Sequence, residues 1–218
     1  SSRAISSPSG TADTFEVLAP VTLNKKKIEA VIKKTNACIV WGGGVDLSSA
    51  DDKMIKIRHP LRIDPSGMLL ASIMAKKKAA GATHVLIDIP WGKNAKLETK
   101  KEAKELQKNF FKVGKLLGFK MKVILTDGSQ PIGNGIGPAL EAIDVISVLK
   151  GDGPNDLREK ALFMATEALK LIGEKDAEEK VIAALESGKA YKKFKEIIHA
   201  QGGLKQPILP KEQFFYNV

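Results

Sequence analysis

Hydroxyl-bearing residues and an arginine crowd the opening stretch Ser1-Ser2-Arg3-Ala4-Ile5-Ser6-Ser7-Pro8-Ser9-Gly10-Thr11, directly ahead of the apolar segment 12–18. Small residues let a backbone approach an anion, hydroxyls and a guanidinium bond its oxygens, and a helix starting near Thr11 would turn N–H groups toward it. Two readings stand on these residues alone: a phosphate-binding loop, or a flexible Ser-rich end of the kind Ser, Gly and Pro clusters mark. Further along, Ser72 and Lys76 are four apart in a predicted helix and share a face able to look into a cleft. Asp64 stands ahead of Pro65 at a helix start, where it reads as an N-cap. His59, His84 and His199 are scattered and read as packed or surface residues, and no Cys/His cluster has metal-ligand spacing, so no metal is expected. Cys38 lies in an apolar run and reads as a buried, inert thiol.

The elements that must position these groups follow from periodicity. Residues 23–35 predict a helix capped by Asn24 with Ile28, Val31 and Ile32 on one face, and 37–41 predict a short buried strand leaving through Gly42-Gly43-Gly44. Those glycines lack the spacing of a dinucleotide or P-loop fingerprint and read as a plain turn. Residues 66–80 predict a helix with Leu69, Leu70, Ile73 and Met74 inward. A strand over 83–89, a capping box at Thr99 and Glu102 opening a helix to 117, and a strand over 121–125 make a βαβ unit. Each strand runs into a loop, 90–96 and 126–137, and in parallel sheets this edge is where ligands bind. Helices follow over 138–149, 155–172, 176–187 and 189–200; the second shows Leu157, Ala161, Met164, Ala165, Leu169 and Ile172 at helical spacing. The last is expected to bury Tyr191, Phe194, Ile197 and Ile198, and the aromatic tail beyond Gly203 reads as a docking or connecting segment. The fold class is α/β, a mainly parallel or mixed sheet covered by helices.

A chain of 218 residues with 43% hydrophobic content can bury a substantial core. The net charge of +10 raises nucleic-acid binding as a possibility. Its lysines, however, fall on helix faces opposite apolar positions and no aromatics interleave with them, so they read as a solvated surface. No apolar run approaches the roughly twenty residues that span a bilayer, and the first residues lack a signal pattern, which predicts a cytoplasmic protein without membrane partners. One cysteine excludes an internal disulfide.

Five stretches taken together resemble the thymidine/AMP phosphorylase family: 2–13, 70–77, Gln130-Pro131-Ile132-Gly133, Gly137-Pro138-Ala139-Leu140-Glu141 and Ala200-Gln201-Gly202-Gly203. The resemblance runs in order along nearly the whole chain, and within the family it is nearest the archaeal AMP-phosphorylase branch. It implies phosphorolysis of nucleoside 5′-monophosphates, AMP and phosphate giving adenine and ribose 1,5-bisphosphate, with CMP and UMP as further substrates. Inorganic phosphate is the co-substrate and no cofactor is implied. The opening loop supports the nucleotide branch, because thymidine phosphorylases carry a glycine-rich stretch there. Carried over by the resemblance, Ser2, Arg3, Ala4, Ile5, Ser6, Ser7 and Thr11 bind the nucleotide, as do Ser72 and Lys96; Arg58 and Lys76 align with base-contacting positions of the pyrimidine branch, Arg58 across a one-residue length difference. Asp64 becomes the acid that protonates the departing base. The implied organisation is an α/β domain from 1–50 and 82–218, with 51–81 crossing into a small helical domain; Asp64 and Ser72 would face the opening loop and Lys96 across a closing cleft. A homo-oligomer is also implied. Against the family pattern, the upstream phosphate loop, most of the helical domain and the C-terminal domain are missing from this sequence. Two alternatives therefore stay open: a pyrimidine-nucleoside phosphorylase, and an inactive nucleotide-binding fragment.

Overall fold

The computed structural model describes residues 2–4, 9–44 and 66–209. They form two compact units, each assembled from separated stretches of chain: Ser1–Val45, Gly133–Ala161 and Lys180–Val218 in the first, Asp46–Ile132 and Leu162–Glu179 in the second. The architecture is mixed α/β, as expected.

In the first unit, α1 (Thr11–Glu16) and α2 (Lys25–Thr35) are followed by a 3-10 turn at Gly42–Gly44. Asn24 caps α2 by accepting the Lys27 amide, and Asn36 ends it in the left-handed conformation. Further along come α5 (Pro138–Lys150) and α8 (Lys189–Gln201). Ala12, Phe15, Leu18, Ala19 and Val21 pack with Ala142, Ile146, Ile197 and Ile198 into one core, where Phe194 meets Phe15 edge-on at 5.7 Å. On α2 the apolar face is narrower than its sequence predicts: Val31 is buried, whereas Ile32 is 43% exposed.

The strand expected at 37–41 is not a strand. No neighbouring strand takes up its ladder among the described residues; a side chain does so instead. The fully buried Gln201 accepts the Ile39 amide at 2.8 Å and donates to the Ile39 and Pro20 carbonyls at 3.0 and 2.9 Å. A carboxamide carries one acceptor and two donors, so it can pair with both groups of one extended residue as a strand edge would. The Trp41 amide completes the hold by donating to the Val21 carbonyl at 2.9 Å. Cys38 is half-buried there, and burial pushes its thiol up.

The second unit holds α3 (Ser66–Ala79), β1 (His84–Trp91), α4 (Lys100–Leu116) and β2 (Lys120–Asp127). β1 and β2 are parallel, with His84 opposite Lys120 and Trp91 opposite Asp127, the βαβ unit read from the sequence. The Thr99–Glu102 capping box is formed as predicted. Leu70, Met74, Val85, Ile89, Ala103, Leu106, Phe110, Phe119 and Val123 make the core. Leu86 and Ile87 are only half-buried, so β1 is covered less completely than its continuous apolar run suggests. A second departure lies in α6 (Asn155–Leu171), which buries Thr166 and Glu167 and leaves Ala161 and Ala165 exposed, with Ile172 beyond it 57% exposed. Glu167 is accommodated because Lys122 and Lys170 both pair with it, holding its carboxyl below the usual range. The chain continues through α7 (Ala177–Glu186).

Candidate functional site

Within the first unit the opening stretch is tied down by one carboxylate. Asp13, in the first turn of α1, accepts the Ala4 and Gly10 amides on Oδ2 at 2.7 and 3.0 Å, and the Arg3 Nη1 on Oδ1 at 2.9 Å. Arg3 also donates to both Glu16 oxygens at 2.6 and 2.8 Å, and its guanidinium lies 4.9 Å from the Trp41 ring centre. These bonds hold the Asp13 and Glu16 carboxyls below the ordinary range, through the Ala4 and Gly10 amides first for Asp13 and through Arg3 for Glu16. Glycine at position 10 is a steric requirement, since a Cβ there would lie 2.5 Å from the Ser2 carbonyl oxygen. The Ala12 amide donates to that same carbonyl at 3.1 Å, so one N–H that the sequence offered to an anion is already bonded. Ser2, Ala4 and Thr11 are exposed around this knot, and Arg3 is half-buried in it. Ile5, Ser6 and Ser7 lie outside the described residues.

A second set of bonds joins the 133–137 loop to the helices that follow. Asp144, 8% exposed on α5, accepts the Asn134 and Gly135 amides on one oxygen at 2.7 Å each. Asp156 accepts the Gly133 amide at 3.1 Å. Glu141 takes the Gly137 amide at 3.2 Å and the Thr14 hydroxyl at 2.9 Å, linking this loop to α1.

In the second unit the ends of β1 and β2 bring their loops together, as the parallel pairing requires. The Gly128 amide donates to the Trp91 carbonyl at 2.9 Å, and a Cβ on Gly92 would stand 3.0 Å from the Ser129 nitrogen. The Ser129 amide bonds Asp127 at 2.8 Å, Thr126 donates to Asp88 at 2.7 Å, and the Gly92 amide reaches the Leu97 carbonyl at 2.9 Å. Lys96 is exposed on this loop pair. Ser72 and Lys76 occupy successive turns of α3 and are both half-buried. Asp64 and Arg58 lie outside the described residues. Among the described residues no three His, Cys, Asp or Glu side chains gather to hold a metal, and no helix is long and apolar enough to cross a membrane.

Sequence reasoning singled out the exposed residues of these loops and passed over the carboxylates behind them. Asp13 had a legible mark, an acid three positions after the residue that starts a helix. Asp144, mid-helix, had none.

Residues 1–191 match the family described as glycosyl transferase family, a/b domain. Over 227 aligned residues the chain is 52% identical to a protein of Legionella pneumophila (strain Corby) named "Putative thymidine phosphorylase", covering 100% of this chain and 43% of that relative. It is 46% identical over 210 residues to an AMP phosphorylase of Natronomonas pharaonis, covering 93% of this chain and 41% of the relative. An AMP phosphorylase of Thermofilum pendens is also 46% identical, with 97% of this chain covered and 41% of the relative. The chain thus spans less than half the length of the curated relatives it matches. Relatives occur in bacteria as well as under the AMP-phosphorylase name, so the archaeal assignment expected from the sequence does not follow from them.

Proposed function

We propose that this chain, which belongs to the glycosyl transferase family with an a/b domain, is part of a phosphorylase that splits nucleoside 5′-monophosphates with orthophosphate. The observation that carries the nucleotide reading is the opening loop: its run of hydroxyls suits a phosphoryl group, and Asp13 holds Ala4, Gly10 and Arg3 together at its two ends. Ser2, Arg3, Ala4, Ile5, Ser6, Ser7 and Thr11 serve the nucleotide on this reading. Ser72 and Lys96 contact it further, with Lys76 and Arg58 as additional base-side residues carried by the 51–81 segment.

The reaction breaks the glycosidic C–N bond and forms a bond from a phosphate oxygen to the same sugar carbon. Asp64 gives its proton to the departing base, at N7 for adenine, which makes the base a better leaving group. A carboxyl can hold that proton near neutral pH when burial or a neighbouring anion raises its pKa.

A phosphate-dependent base-release assay with AMP, CMP, UMP and thymidine tests the reading in the intact protein. AMP is expected to outpace thymidine, and the reverse preference overturns the nucleotide assignment. A pyrimidine-nucleoside phosphorylase is the second reading, favoured by the higher identity to the Legionella relative named for thymidine. In either case Asp64→Asn should abolish turnover while retaining substrate affinity; unchanged turnover removes Asp64 from the acid role.

A further inference from the structure

Two acids of α1 hold the opening loop, but only Asp13 takes its backbone amides as well as Arg3, whereas Glu16 takes Arg3 alone; Asp13 is absent from the site residues the family resemblance implies. We propose that Asp13 is the positioning residue of this loop, holding Ala4 against Gly10 and orienting Arg3 so that the groups of residues 2–4, Gly10 and Thr11 can receive a phosphoryl group. The proposal rests on the reading of the loop as an anion site.

Three observations converge on Asp13. One oxygen gathers amides from both arms of the loop, Ala4 at 2.7 Å and Gly10 at 3.0 Å, and so fixes the width between them. The other oxygen takes Arg3 at 2.9 Å, leaving the guanidinium between Asp13 and Glu16 and over Trp41. The two carboxylates are not equivalent: the Asp13 side chain is 18% exposed and the Glu16 side chain 42%. Exposed ion pairs exchange readily with water and competing ions, whereas a carboxylate that also holds backbone amides is fixed by geometry. Glu16 is therefore the partner that an incoming anion displaces from Arg3, and Asp13 is the one that stays.

Asp13→Asn separates these roles. Its amide oxygen can still accept the Ala4 and Gly10 amides, but its NH2 group meets the Arg3 guanidinium donor to donor. Arg3→Lys keeps the charge and loses the two-armed fork. In the intact protein each variant is expected to raise the KM for AMP by about tenfold while kcat stays within about threefold, the split expected when ground-state binding is lost. The double variant should be no worse than the poorer single one, because both remove the same contact. An unchanged KM in Asp13→Asn, a fall in kcat alone, or additive effects in the double variant would overturn the proposal. So would a lowered melting temperature with an unaltered KM, which marks a residue that serves stability only. If the wild type works on thymidine but not AMP, the nucleotide reading fails by itself. The KM for orthophosphate is then the quantity measured, where the same rise supports Asp13 and a flat value overturns it.

Discussion

A buried carboxylate that accepts two amides on one oxygen has no easy substitute, and Asp144 is in that position. Asp144→Ala removes the acceptor of the Asn134 and Gly135 amides and leaves a cavity where a side chain only 8% exposed had been. The expected loss is about 1 kcal/mol by urea denaturation, the net worth of a hydrogen bond whose donor water can still reach. Asp144→Asn, which keeps an oxygen for both amides, should lose clearly less. The acids of the opening loop make a prediction about pH instead. Asp13 and Glu16 have folded-state pKa values below their unfolded ones, so their contribution is complete above the unfolded pKa, about 4, and disappears as pH falls through the folded value. Melting temperature measured from pH 7 down to 3 should therefore drop at the acid end, and the drop should be smaller in Asp13→Asn. Apart from the Asp13 pairing with Gly10, which helix-start spacing marks, these carboxylates could not be paired with their amides from sequence alone, because a loop amide leaves no mark in the residue that bears it. The exposed Ser and Thr residues were legible because hydroxyl-rich composition is itself the mark.

Elements were legible where one residue type settles a boundary. Thr99 and Glu102 satisfy each other's backbone amides at the start of α4, and Thr99→Ala should cost about 1 kcal/mol, read as a shift of the urea midpoint. Both parallel strands showed as apolar runs bounded by turn residues, and their pairing followed from the helix between them. The meeting of their loops depends on two glycines that sequence marks only as turns. A Cβ on Gly128 would sit 2.8 Å from the Pro90 Cβ and 3.1 Å from the Pro90 carbonyl carbon, backbone that cannot swing aside. Gly128→Ala should accordingly lower the melting temperature more than Gly67→Ala in α3, where nothing lies within 4 Å of the added carbon. Segment 37–41 went the other way. Its β-branched run satisfies the pattern of a strand, yet its ladder partner is the side chain of Gln201, 162 positions from Ile39. α6 misled for a related reason: helical spacing places apolar residues on a face, but Lys122 and Lys170 make burial of Glu167 the arrangement that forms.

Across the whole molecule, the surplus of ten positive charges asks whether the chain prefers a polyanion or a small one. Binding of a nucleic acid through phosphates alone needs several cations facing one backbone and gains stacking only from exposed aromatics placed among them. Here some cations are engaged locally, Lys193 with Glu196 and Arg158 with Glu186, while Lys150 and Lys195 lie against the Tyr191 ring. Lys25, Lys26, Lys27, Lys33 and Lys34 on α2 remain exposed on a helix that packs against α8, the pattern of a solvated helix face. RNA association measured by fluorescence polarisation should therefore be weak and fall steeply with salt, vanishing by about 200 mM as a purely counterion-driven contact does. On the proposed nucleotide reading, AMP binding, which needs few phosphate contacts, should change less over the same range. RNA binding that persists at high salt while AMP fails to compete would reverse this assignment, placing the function of the basic surface above that of the opening loop.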